Sequence, residues 1–204
     1  MEAPRLLIVC TGNICRSPQI QQFLLAGLEQ RQTDNPNVPF PLIISMGTNC
    51  HPGQAMPEQA QEMSRKLGGN PHGHVATALT AAAIRDADLV LTASRDHRGV
   101  VARLVPAATK KTFTLREFSR IVAGTKRDLE LREQLDLEGD IAGWAAIAAR
   151  RRGLYNLPNL NDDILDPYRQ TREVYDASAT QIFAEVSVIL SVLWPIQPST
   201  TEAT

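Results

Sequence analysis

Leu6–Val9 (LLIV) is a run of four apolar residues with no polar interruption. A strand with one wet face alternates apolar and polar residues. A continuous run suits a strand buried on both faces, as in a parallel sheet covered by helices. The rest of the chain agrees with that restriction. Leu42–Met46 reads as a second strand ending at Gly47, Asp88–Thr92 as a third and Thr112–Thr114 as a short fourth. Helical patterns lie between them. Ser17-Pro18 reads as a helix start, a capping hydroxyl then proline, with Ile20, Phe23, Leu24 and Leu28 following at helical spacing. Pro57–Leu67 reads as a helix with Ala60, Met63 and Leu67 on one face, stopped by Gly68-Gly69. Ser94 caps a helix that carries Val100, Val101 and Leu104 and stops before Pro106. Thr114-Leu115-Arg116-Glu117 fits a capping box that opens a helix with Phe118, Ile121 and Val122.

From Thr125 to Arg152 the pattern predicts two more helical pieces. Leu131 and Leu135 face one way in the first, and Ile141, Trp144 and Ala148 line the second. Arg150-Arg151-Arg152 before Gly153 reads as cations at a helix C-terminus, where the dipole favours them. A phosphate or partner site is the alternative. Thr33–Pro41 and Asn156–Pro167 read as loops. A last helix runs from about Thr171 to Trp194, with Ile182, Phe183, Val186, Ile189 and Leu193 as its buried face. The polar residues 197–204 read as a disordered tail. Strand and helix alternate without a repeat or a linker. Residues 1–196 therefore read as one α/β domain on a parallel sheet, with about 125–165 as a helical and loop insertion. In such sheets ligands bind beyond the carboxyl ends of the strands, and Cys10 follows the first strand.

A net charge of −1 gives no global attraction to nucleic acid or an anionic membrane. Leu6–Val9 is too short for a signal peptide. The longest apolar stretch, Val186–Trp194, is broken by serines and falls short of the ~18 apolar residues of a membrane span. Three cysteines, an odd number, argue against a disulfide framework and for a reduced, cytoplasmic protein. Cys10 and Cys15 lack a second nearby pair of ligands, and His51, His72, His74 and His97 are scattered, so no zinc pattern forms. The glycine motifs of nucleotide binding are absent.

What remains is Cys10, five intervening residues, then Arg16-Ser17 and a helix start. A loop between a strand end and a helix N-terminus can turn its N–H groups inward as an anion nest. The helix dipole and Arg16 favour the thiolate, the reactive form of cysteine, at its centre. Ser17 can add a hydroxyl hydrogen bond to it. The same cradle fits the equatorial oxygens of a phosphoryl group, with the thiolate in line for displacement. Gly12 permits a backbone conformation that a side chain would block. Asn13 can hold the loop by side-chain hydrogen bonds or serve as a turn residue.

Cys10–Pro18 (CTGNICRSP) resembles the signature of the low-molecular-weight protein tyrosine phosphatases, which also lies near the N-terminus. Ser45–Thr48 (SMGT) with Gly53, His74–Thr92, and Asp166–Tyr168 (DPY) resemble further segments of that family. The resemblance covers most of the chain except roughly Thr125–Leu165. It implies a flavodoxin-like three-layer α/β/α fold, with a four-stranded parallel sheet in the order 2-1-3-4. It also implies hydrolysis of phosphotyrosine, an aryl phosphate monoester, on proteins such as capsule or exopolysaccharide kinases or host proteins. Cys10 would attack phosphorus to form a cysteinyl phosphate, stabilised by Arg16 and the loop amides. Asp166 would protonate the leaving phenolate and then activate water. Thr11, Gly12, Asn13, Ile14, Cys15 and Ser17 would form the phosphate loop. His74 would buttress Asn13, and Asn49 and Tyr168 would wall the cleft. Neither a metal nor another cofactor is implied. Asp162 and Asp163 are near, but Asp166 alone precedes proline, which restrains the loop. Cys15 is either a buried thiol or, as in the family, a reversible disulfide partner of Cys10. Cys50 is assigned no chemistry.

The chain departs from the family pattern at Met46, where the family has alanine, at Thr77, where arginine is frequent, and at Asn49-Cys50-His51, which replaces a bulky apolar residue. Arg169 follows Tyr168 where many members carry a second aromatic residue, which suggests a preference for acidic phosphopeptides or for something other than phosphotyrosine. Two other functions fit a similar loop. A thioredoxin-coupled arsenate reductase needs two cysteines on a later segment, where Ala81-Ala82-Ala83 stand here and no cysteine follows Cys50. A phosphate-binding module without turnover has no need of an acid such as Asp166.

Overall fold

The computed structural model describes residues 3–32, 40–130, 137–155 and 161–196. The LLIV run lies in strand β1 (Arg5–Cys10) and is buried on both faces. β1 pairs in parallel with β2 (Leu42–Gly47) on one side and β3 (Leu89–Thr92) on the other, and β3 pairs with β4 (Thr112–Thr114). The sheet order is β2-β1-β3-β4, the flavodoxin-like arrangement. Side chains alternate across a strand, so the run feeds two cores. Leu6 and Ile8 pack with Ile20, Phe23, Phe118, Ile182 and Val186. Leu7 and Val9 pack with Ile84, Val101 and Val105 on the opposite face.

The helices are α1 (Arg16–Gln32), α2 (Glu58–Lys66), α3 (Ala81–Asp86), α4 (Arg95–Leu104), α5 (Leu115–Glu130), α6 (Ile141–Arg151) and α7 (Arg172–Leu193). Ser94 caps α4 by accepting from the His97 amide. The capping box of α5 forms as expected: the Glu117 amide donates to Thr114 Oγ1 at 3.1 Å and the Thr114 amide to Glu117 Oε2 at 3.3 Å. Ile141, Trp144 and Ala148 are the buried face of α6. By length and composition α7 could cross a membrane; in this fold it buries Ile182, Val186, Ile189 and Leu193 in the core shared with α1 and α5.

Several expectations need correction. α1 begins at Arg16, so Ser17 lies inside the helix and its hydroxyl faces Cys10 and Asn13 instead of capping. Thr125 does not open a new helix: α5 runs through it because Phe118, Ile121, Val122 and Thr125 continue one buried face. Phe183 is half-exposed, although its ring meets Phe23 edge-on at 5.7 Å. α3 was not expected. Thr80 caps it by accepting from the Ala83 amide at 3.1 Å. A 3-10 turn at Pro106–Lys111 was also missed.

The arginines ending α6 do more than meet its dipole. Arg151 donates to Asp128 on α5 at 3.0 Å. The Arg152 guanidinium lies 4.2 Å from the centre of the Phe113 ring, donates to Thr112 O at 2.6 Å and pairs with buried Glu117 at 3.0 Å. Leu131, Leu135, residues 33–39 and 156–160 of the expected loops, and the tail 197–204 lie outside the described residues.

Candidate active site

The carboxyl ends of β1, β2 and β3 meet on one edge of the sheet, and the loop from Cys10 to Arg16 joins β1 to α1 there. Asn13 is its fully buried hub, with φ of 53°, a left-handed conformation that asparagine tolerates better than most residues. Its Nδ2 donates to Ser17 Oγ and to Ser45 Oγ, each at 2.9 Å. Its Oδ1 accepts from the Thr77 amide at 2.8 Å. Its carbonyl accepts from His74 Nε2 at 2.7 Å. Because Ser17 Oγ accepts from Asn13, its own hydrogen is free for Cys10 Sγ, 3.0 Å away. The Ser45 hydroxyl in turn donates to Gln21 Oε1 at 2.6 Å.

Gly47 is the point where β2 passes under this loop. A Cβ there would fall 2.6 Å from the Thr11 carbonyl oxygen and 2.8 Å from Cys50 Cβ, so only glycine allows the approach. Just beyond it, the Thr48 and Asn49 amides donate to the Cys10 and Thr11 carbonyls at 2.9 and 3.0 Å.

Arg16 is buried, and its Nη2 donates to Asp166 Oδ2 at 2.7 Å. The loop carrying Asp166 is held on both sides. The Ile164 amide donates to Ala93 O at 2.8 Å, just past β3, and Ser178 Oγ on α7 donates to Leu165 O at 2.8 Å. Asp162 and Asp163 are engaged elsewhere, with Arg120 at 2.6 Å and Arg95 at 3.2 Å. Asp166 is thus the carboxylate of this loop that meets Arg16 of the Cys10–Arg16 loop.

Cys10, Thr11, Gly12, Ile14, Cys15, Arg16, Asn49, Asp166 and Tyr168 all line one cleft of about 230 Å³, joined by Cys50, His51 and Gln54. Ser17, His74 and Asn13 act from behind it. Arg169 follows the wall residue Tyr168, its guanidinium 5.1 Å from the centre of that ring. Burial, then the negative charges of Cys10 and Asp166, push the Cys15 thiol up to about 12, against the opposing hydrogen bond from Tyr175. Burial also raises the Tyr175 hydroxyl to about 12.

A second groove of about 470 Å³ shares the walls Thr11, Arg16 and Asp166 with the first and is completed by Ser94, His97 and Asp163. Sequence reasoning passed over His97 there. Its Nε2 lies 2.8 Å from Thr11 Oγ1 and its Nδ1 2.7 Å from Ser94 Oγ. Burial, then Arg16, lower its pKa to about 4. The signal available was a histidine three residues after a helix cap at the carboxyl end of a strand. Gln21 and Tyr175 were also missed, as supports with no motif of their own, and Ser45 was noted only as the start of the SMGT segment, not as a partner of Asn13. Among the described residues, no group of three or more His, Cys, Asp or Glu side chains is placed to hold a metal ion.

Residues 5–150 match the family model of the low molecular weight phosphotyrosine protein phosphatases. The probable low molecular weight protein-tyrosine-phosphatase AmsI of Erwinia amylovora is 36% identical over 108 residues, 53% of this chain and 68% of its own. The protein-arginine-phosphatase of Bacillus subtilis (strain 168) is 32% identical over 126 residues, 61% of this chain and 76% of its own. Among solved structures, the Erwinia amylovora tyrosine phosphatase AmsI superposes with a TM-score of 0.64 at 23% identity, covering 93% of each chain. The tyrosine phosphatase Wzb from Escherichia coli K30, in complex with sulphate, gives 0.62 at 22% identity, covering 91% of this chain and 95% of that one. At that identity the structures speak to the fold, and the family match carries the membership. The chain belongs to the low molecular weight phosphotyrosine protein phosphatase family.

Proposed function

We propose that this protein hydrolyses phosphotyrosine, an aryl phosphate monoester, on protein substrates through a cysteinyl-phosphate intermediate. The observation that carries this reading is the convergence of Cys10, Arg16 and Asp166 on one cleft, with Arg16 and Asp166 in contact at 2.7 Å. An entering phosphoryl group takes the place of Asp166 on Arg16, and the freed carboxylate takes up a proton from solvent. Cys10 Sγ attacks phosphorus as the P–O bond to the phenol breaks, and Asp166 gives its proton to the departing oxygen. Water then attacks phosphorus, losing a proton to Asp166, and the S–P bond breaks to return Cys10 and inorganic phosphate. The loop amides and Arg16 hold the equatorial oxygens throughout.

Ile14 and Tyr168 in the cleft wall suit an aromatic leaving group. Arg169 beside Tyr168 favours acidic residues flanking the phosphorylated one. A cytoplasmic setting belongs to the same proposal, since a nucleophilic thiol suits a reducing compartment.

A small aryl phosphate such as p-nitrophenyl phosphate tests the reading. Cys10→Ser should abolish turnover, and Asp166→Ala should lower kcat by roughly 100-fold to 10,000-fold, the usual worth of a general acid. No hydrolysis by the folded, reduced protein at any pH from about 5 to 8 would overturn it. A panel of phosphotyrosine and phosphoarginine peptides, trapped on Cys10→Ser, identifies the substrate class. Equal turnover of acidic and basic phosphopeptides, unchanged in Arg169→Ala, would remove the flanking preference.

A further inference from the structure

Thr11 follows the nucleophile, and its hydroxyl oxygen has two neighbours: His97 Nε2 at 2.8 Å and Arg16 Nη2 at 3.5 Å. Which way the first bond runs depends on which ring nitrogen of His97 carries the hydrogen, and Ser94 decides that. Ser94 Oγ already accepts from the His97 amide as the cap of α4, and it lies 2.7 Å from His97 Nδ1. Ser94 is 9% exposed, on the wall of the second groove, and among the described residues its hydroxyl hydrogen meets no protein acceptor other than His97. If Nδ1 carried the hydrogen, the Ser94 O–H would give up that 2.7 Å partner and have only the solvent of the groove to meet it. Ser94 therefore donates to Nδ1, and Nε2 carries the hydrogen and donates to Thr11 Oγ1.

Arg16 can only donate. Both of its neighbours thus direct hydrogens at the Thr11 oxygen, whose own hydrogen must point away from them. Thr11 is exposed on the cleft, and among the described residues no protein acceptor meets that hydrogen. We propose that His97 is a positioning residue. By donating to Thr11 Oγ1 it aims the Thr11 O–H at a non-bridging oxygen of the bound phosphoryl group, adding a side-chain donor to the loop amides. Its low pKa, set by burial and Arg16, supports the arrangement, because the ring then carries a single hydrogen.

The inference rests on the phosphatase reading only in taking the cleft as a phosphate site, and binding tests it without turnover. The probe is inorganic phosphate, titrated by calorimetry into the folded, reduced protein. Thr11→Val and His97→Ala should each weaken phosphate roughly tenfold, the scale of one hydrogen bond to a charged group. The double variant should be no weaker than Thr11→Val alone. His97→Gln, whose amide can donate to Thr11 and accept from Ser94, should recover most of the loss. A merely structural histidine would give additive losses and no such rescue. Should His97→Ala fail to fold, Ser94→Ala takes its place, with a loss in the Thr11 background that disappears in Thr11→Val. Additive losses, or phosphate affinity unchanged in Thr11→Val, would overturn the proposal even if aryl phosphate hydrolysis is confirmed.

Discussion

Burial and the Arg16 guanidinium draw the His97 pKa from 6.5 down to about 4. Between those values the unfolded chain binds a proton that the folded chain does not, so stability rises with pH across that window. Acidifying from about pH 6.5 toward 4 should remove roughly 3 kcal/mol of unfolding free energy attributable to this one group. Urea unfolding at several pH values checks it, and His97→Gln should flatten that part of the profile. Cys15 makes a different prediction at the same scale. Its thiol is buried and pushed up to about 12, so it stays protonated and unreactive near neutral pH. Iodoacetamide should label Cys10 and spare Cys15, and added phosphate should protect Cys10; peptide mapping reads both.

Helix α6 is fastened by its last residues. Arg152 sets its charge on the Phe113 ring and shares the buried Glu117 carboxylate with Arg98. Arg152→Ala would strip one partner from a buried charge and the cover from an aromatic ring. We expect a loss of about 2 kcal/mol, measured as a lower urea midpoint. Arg172 and Glu62 form an equally plain ion pair in water, and Arg172→Ala should leave the midpoint unchanged. Element by element, β1, β2 and β3 were readable as short, mainly apolar runs between turn signals, and β4 (TFT) as β-branched and aromatic residues just before a capping box. α3 was not, since Ala81-Ala82-Ala83 offers no contrast between a wet and a dry face. Ser17 was misplaced for a related reason. A Ser-Pro pair looks like a cap, and only the long-range partners of Asn13 show that its hydroxyl is needed elsewhere.

At the scale of the molecule, the strand order gathers residues far apart in sequence. Thr11 and His97 are 86 residues apart, Arg16 and Asp166 150 apart. The nucleophile loop was legible because its chemistry is contiguous. Asp166 was singled out through a resemblance, and the fold sets it against Arg16 at 2.7 Å. For the Thr11–His97 contact the sequence offered only a histidine near a helix cap after a strand, and nothing local records that its ring meets Thr11. Since α1, β2, β3 and α7 all brace this one site, occupying it should stabilise the whole fold. At 100 times its dissociation constant, phosphate should add about 2.7 kcal/mol and raise the melting temperature by roughly 5–10 °C. Arg16→Met should abolish that rise in a thermal melt.

The contact between Arg16 and Asp166 has a kinetic consequence. A tethered carboxylate is present at high effective concentration wherever its loop holds it. Once Asp166 has released the proton it took from water, its carboxylate is already beside the guanidinium and rebinds each time inorganic phosphate loosens its grip. On the proposed mechanism, the acid of one half-reaction is thereby the evictor of the product. Asp166→Asn should turn over slowly yet retain phosphate more tightly, so product inhibition strengthens as catalysis weakens. Phosphate binding that is weaker in Asp166→Asn than in the wild type would contradict this.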